Sequence, residues 1–371
     1  MDDKLKKIIY IVLGAFAILF IVLILLSSCG KKYTPEKLES IIVSNSKNYY
    51  SSHKDELPHK NSVLTLSISD LTNKGIIKEL DKMLDKDTSC SGSLIIENNN
   101  NYYMYSPILK CKTGDDSYEI KNLYNTLVDE VVTSGNGLYY NNSSYYFRGD
   151  KVDNYIMFDG LLWRILKINE DKSIRLIEAG KRDPVVWDDR YNSDIQASVG
   201  INNFFANDLN SRIKDSLEEI YNGESVLTKE GKGYIKESTL CIGKRALEDS
   251  TNDGSIECSS TLNGQYLGLI QLNEYINASL DTNCVNANST ACRNYNYLAD
   301  FDNSYWTITA NSQNTNQVYK ISNTVMSTGA SNMGMPRLVI NISENTNVSG
   351  TGTQNNPYVV SGMSSEIRKL D

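Results

Sequence analysis

The sequence predicts an α+β protein in parts: a signal or transmembrane anchor at residues 1–29, a small α+β module at 34–133, a larger α+β domain at 134–362 and a tail at 363–371. Three observations carry this reading. An uncharged apolar run spans Ile8 to Leu26, helical and strand patterns alternate beyond it, and six cysteines after Cys29 fall into three sequence-local pairs.

Lys4, Lys6 and Lys7 precede the apolar run, giving the charged and hydrophobic regions of an export signal. At about 1.5 Å per residue the run nearly matches a hydrocarbon core of roughly 30 Å, so its length also suits a retained transmembrane helix. It ends in Leu26-Ser27-Ser28-Cys29-Gly30. This stretch resembles the bacterial lipobox and implies lipidation at Cys29. Length leaves cleavage and retention open, and the motif favours a lipoprotein. Either anchor keeps the lysines inside and places the bulk of the chain at the cell surface.

Cys90, Cys111, Cys241, Cys258, Cys284 and Cys292 support an oxidising exterior. Pairing each with its sequence neighbour is the simplest disulfide scheme. The rival, structural zinc, lacks a CxxC pair, and the two histidines, His53 and His59, stand in a polar linker. A formal net charge of −8 argues against a nucleic-acid partner, which requires a basic face. No glycine-rich phosphate loop follows a predicted strand, so nucleotide binding has no motif.

Thr34-Pro35-Glu36 predicts a helix start, with Leu38, Ile41, Ile42 and Tyr49 forming its apolar face to about Tyr50. Ser62 to Ile68 alternates like a strand. A short helix stopped by Gly75 follows, then a second over Ile76 to Leu84. Gly92–Glu97 and Tyr102–Leu109 read as a hairpin with Cys90 and Cys111 at its open end. Together these features resemble the pilin-like module of Firmicute surface proteins. One residue departs from that pattern: prepilins carry a glutamate in the apolar segment, and Ile8–Leu26 has no acid.

Residues 118–133 read as a helix, and Ser134-Gly135-Asn136-Gly137 as the domain boundary. Beyond it, a strand pair turns at Asn141-Asn142. Tyr155 to Ile168 forms a hairpin about Asp159-Gly160, both of which tolerate positive φ. Ser173 to Ile177 is a third strand, 201–221 an amphipathic helix, and 305–308, 318–321 and 338–341 late strands. The Gly-Leu-Leu-Trp-Arg-Ile core at 160–165, Tyr266–Ile270, Tyr305-Trp306-Thr307, Arg337–Ile342 and the closing Gly350–Tyr358 occur in one order. This set resembles the Fibrobacter-type major paralogous domain and implies a C-type-lectin-like fold, which hosts binders and enzymes alike.

The larger domain has no histidine, which removes Ser-His-Asp and Cys-His catalysis from within it. Asp188, Asp189, Asp300 and Asp302 are the candidate metal ligands, since clustered loop carboxylates suit calcium; no other cofactor is suggested. Trp187 and Trp306 are the candidate ligand-stacking residues, set against a core role for each. Trp163 reads as core, and Arg164 as one half of a buried ion pair. The leading expectation is a non-enzymatic, membrane-anchored binding or adhesion protein whose partner is an extracellular macromolecule or glycan. The alternatives are a structural component of a pilus-like or secretion assembly and a lectin-like-fold oxidase or hydrolase.

Overall fold

The computed structural model describes residues 32–99, 102–141, 143–197, 199–300, 302–363 and 367–368. The apolar run Ile8–Leu26 and Cys29 lie outside the described residues, among which no helix is long and apolar enough to cross a membrane. The described chain is mixed α+β, with many strands and few helices.

Helix α1 (Pro35–Ser52) begins as its residues dictate. Thr34 accepts a hydrogen bond from the Lys37 amide, and Pro35 occupies the first turn, where no backbone donor is needed. Leu38, Ile42, Ser46 and Tyr50 recur every fourth residue and are buried, so one ridge of the helix faces the module's core. Strand β1 (Val63–Ser67) enters α2 (Ile68–Asn73) through a capping box formed by Ser67 and Asp70. Gly75, at φ 70°, ends α2 in a Schellman motif: its amide bonds to Thr72 O and that of Ile76 to Leu71 O. The helix expected over 76–84 shrinks to one turn, α3 (Leu80–Met83), because Ile76 and Ile77 are drawn into the core directly after that cap.

Strands β2 (Thr88–Asn99) and β3 (Tyr102–Thr113) make a longer hairpin than expected, with Cys90 directly opposite Cys111. The two are bridged at a Cα–Cα distance of 4.1 Å. Replacing both by serine is expected to lower the unfolding free energy by about 2–3 kcal/mol, read from urea melts, because the unfolded chain regains the freedom of that loop.

The helix expected over 118–133 splits into β4 (Asp116–Asn122) and α4 (Leu123–Val128), the latter capped by Asn122. Tyr118 and Ile120 obey the two-residue period of a strand, and β4 is held on both sides, by β3 and by a strand far along the chain.

Next come β5 (Gly137–Asn141), β6 (Ser144–Arg148), β7 (Tyr155–Phe158), β8 (Leu161–Ile168) and β9 (Ile174–Glu178). Asp159 and Gly160 turn the β7–β8 hairpin with φ values of 53° and 73°, both in the left-handed region. After β10 (Val185–Val186), the helix expected over 201–221 gives way to a small hairpin, β11 (Phe205–Ala206) and β12 (Leu209–Asn210), before α5 (Arg212–Asn222) starts at the Ser211 cap. The remaining elements are α6 (Lys229–Lys232), β13 (Ser238–Cys241), β14 (Lys244–Arg245), β15 (Thr261–Gln265), α7 (Leu272–Ala278), β16 (Tyr305–Asn311), β17 (Gln317–Ile321), β18 (Val325–Gly329), β19 (Met333–Gly334), β20 (Val339–Ile342), β21 (Asn347–Ser349) and β22 (Tyr358–Val360).

Among the described residues one 12-stranded sheet runs β1-β2-β3-β4-β21-β22-β7-β8-β6-β5, with β9 also on β8 and β20 on β9. It crosses the boundary expected near residue 134 without a break, because β21 pairs with β4 and also with β22. Buried polar contacts reinforce the junction. Glu97 accepts hydrogen bonds from Ser343 (2.6 Å) and Asn345 (3.0 Å), and the Asn99 amide donates to Gly233 O (2.7 Å). A second sheet, β14-β16-β17-β18, and the β13–β15 and β10–β19 ribbons complete the larger part.

Candidate functional site

A polar cleft of about 990 Å³ opens between one face of β6, β8 and β9, the start of α7 and the β13–β15 ribbon. Its floor is built on a buried charge cluster. Arg175 sits in β9 among aliphatic neighbours and donates to Glu274 at 2.6 Å through Nε and 3.4 Å through a terminal nitrogen. Lys167, from β8, approaches the same carboxylate at 3.4 Å. Glu274 holds its place through a capping box with Gln271, whose backbone N–H donates to it at 3.0 Å. Burial raises the Glu274 pKa, but the two cations and the Gln271 amide outweigh it and hold the carboxyl below the usual range.

Around this cluster the cleft is lined with amides and hydroxyls. Asn169 donates to both Ser173 Oγ (3.0 Å) and Asn341 Oδ1 (3.1 Å). Asn273 is 1% exposed, and its Oδ1 has no hydrogen-bond partner among the described residues. Glu170, Asp171, Glu237 and Asp253 also line the cleft and make it acidic. The Cys241–Cys258 disulfide forms part of its wall, and the third expected bridge, Cys284–Cys292, is also made.

Such a surface suits a neutral, hydroxyl-rich ligand. Amide and hydroxyl groups both donate and accept, as sugar hydroxyls do. The basic groups are already engaged by Glu274, and the lining acids repel polyanions.

The residues singled out from the sequence lie elsewhere. Trp187 and Trp306 are each 0% exposed. The first donates its indole N–H to Thr307 O and meets Phe204 edge to face; the second donates to Val185 O under the β10–β19 ribbon. Neither presents a ring face to solvent, so both are core residues. Asp188, also 0% exposed, is engaged by the Arg190 guanidinium, and Asp189 pairs with Arg212 at 3.1 Å. Asp300 accepts the amides of Asp302 and Asn303, each at 3.0 Å, which shapes a turn, while Asp302 is exposed. Among the described residues no group of three or more histidine, cysteine or acidic side chains is placed to share a cation. The calcium expectation therefore gains no geometric support at these four residues. Among the described residues Arg164 meets no carboxylate. It bonds to Asn154 Oδ1 and the Tyr155 hydroxyl, and its guanidinium lies 3.9 Å and 4.8 Å from the ring centroids of Tyr155 and Tyr297.

Sequence reasoning missed Arg175, Glu274 and the amides around them. Signals were present: a lone arginine inside Ile174–Ile177, and Gln271-Leu272-Asn273-Glu274 with the spacing of a capping box.

Fold and cleft together define a mixed α+β protein with a wide polar groove beside a buried charge cluster. No protein-family model matches the chain, and no curated protein or solved structure matches it either.

Proposed function

We propose that this is a non-enzymatic, membrane-anchored cell-surface protein that binds a neutral glycan in the polar cleft. The observation that carries the reading is the lining itself, where amides and hydroxyls surround two basic groups already engaged by Glu274. The three disulfides support an extracellular setting. The helix of the small module, packed on an antiparallel sheet with a disulfide-stapled hairpin, supports the pilin-like resemblance. The seamless sheet then makes that module a rigid mount for the larger, lectin-like part.

The test is a glycan array probed with full-length protein in detergent micelles. Neutral glycans are expected to be retained and sulfated or uronic-acid polymers are not. Asn169→Ala should weaken retention about tenfold by removing two donated hydrogen bonds near the ligand. Retention of polyanions alone, or of no glycan at all, would sink the reading.

A further inference from the structure

A second cavity adjoins the cleft at the β13–β15 ribbon. Gly264, in β15, lines it and also lines a smaller cavity of about 280 Å³ beside α5. A Cβ built at Gly264 would meet only Glu237 Oε1, at 3.7 Å, so the divide between the two spaces at that point is bare backbone.

The smaller cavity has an aromatic wall. The rings of Tyr221 and Tyr266 are parallel to within 4° at a centroid distance of 4.5 Å, and both line the cavity together with Leu217 and Leu267. Tyr266 is tied to the larger cleft, since its hydroxyl donates to Glu237 Oε2 at 2.9 Å and Glu237 lines that cleft. Tyr221 is covered by Tyr266 on one side and has Lys232 Nζ 5.4 Å from its ring centroid, so it backs the pair, and Tyr266 is the ring offered to the apolar face of a sugar.

We propose that Tyr266, backed by Tyr221, forms a second sugar subsite continuous with the polar cleft across Gly264, so that the ligand is a glycan chain of several residues rather than a single terminal sugar. The proposal rests on the glycan reading of the cleft and adds a length requirement to it.

The test is calorimetric titration of full-length protein in detergent micelles with cello- and chito-oligosaccharides of two, three and six sugars. The hexasaccharide of the better-bound series is expected to bind about tenfold more tightly than its trisaccharide. Tyr266→Ala should bring the ratio of the two affinities close to one. Tyr266→Phe should keep most of the gain, because the ring remains and only the bond to Glu237 is lost. Equal binding of trisaccharide and hexasaccharide by the unaltered protein, or an equal loss at every length in Tyr266→Ala, would overturn the second subsite and leave the cleft reading standing. Absence of binding in both series would overturn both.

Discussion

Glu274→Ala will lower the unfolding free energy by about 3–5 kcal/mol at neutral pH, measured by urea denaturation. Arg175 is buried and Lys167 nearly so, and both face this one carboxylate. Removing it strands two like charges that water cannot reach well, and that penalty exceeds the loss of the ion pair itself. A double replacement, Arg175→Met with Glu274→Leu, should recover part of the loss, although Lys167 then still lacks its partner. The same carboxylate gives the fold an acid limit. Its pKa is depressed in the folded chain, so its contribution is complete above the unfolded value of about 4.3 and is lost as pH falls through the lower folded value. In Glu274→Ala that part of the pH dependence should vanish. Unchanged stability in the variant at neutral pH would show that the cluster is better hydrated than its burial implies.

Trp306→Ala should be equally damaging, at about 3–5 kcal/mol. The indole is clamped from several sides. Lys320, its cross-strand partner in β17, holds its ammonium 4.4 Å from the ring, and Val185 O accepts the indole N–H at 2.9 Å. Gly334 in β19 comes so close that a Cβ there would lie 2.6 Å from the ring. Alanine would leave a cavity under the β10–β19 ribbon and orphan the Val185 carbonyl. A ring that stacked on ligand would behave oppositely, with binding lost and melting unchanged. Circular-dichroism melts and glycan binding on the same variant separate the two roles.

Much of the local structure could be read from sequence because its causes are local. Thr34 and Pro35 start α1, Asp159 and Gly160 turn a hairpin, and the cysteines pair with their neighbours. The failures have distant or competing causes. Residues 118–133 carry a helical spacing of apolar side chains, yet residues 116–120 pair with β3 across a tight turn, and residues 347 and 348 extend the pairing at 121 and 122. Over 201–221 the apolar spacing masked a turn at Asn207 and Asp208, whose φ values of 52° and 59° end one small strand and begin the next. The cleft was the least readable part. Arg175 and Glu274 are 99 residues apart, and neither pattern announces the other. The stacking alternative for Trp187 had a simpler source, since a charged neighbour such as Asp188 suggests a surface loop until Arg190 is found to neutralise it.

The β4–β21 pairing also bears on the order in which the chain can fold. Asn122 and Asn347 are register partners, so the middle of the sheet waits for a segment near the end of the sequence. A chain made from its N-terminus would hold one edge of β4 bare until that late segment is available, a template for pairing with any other exposed strand. The Cys90–Cys111 bridge ties β2 to β3, and β3 pairs with β4, so the edge of β4 that faces away from β3 is the seam closed from the far end of the chain.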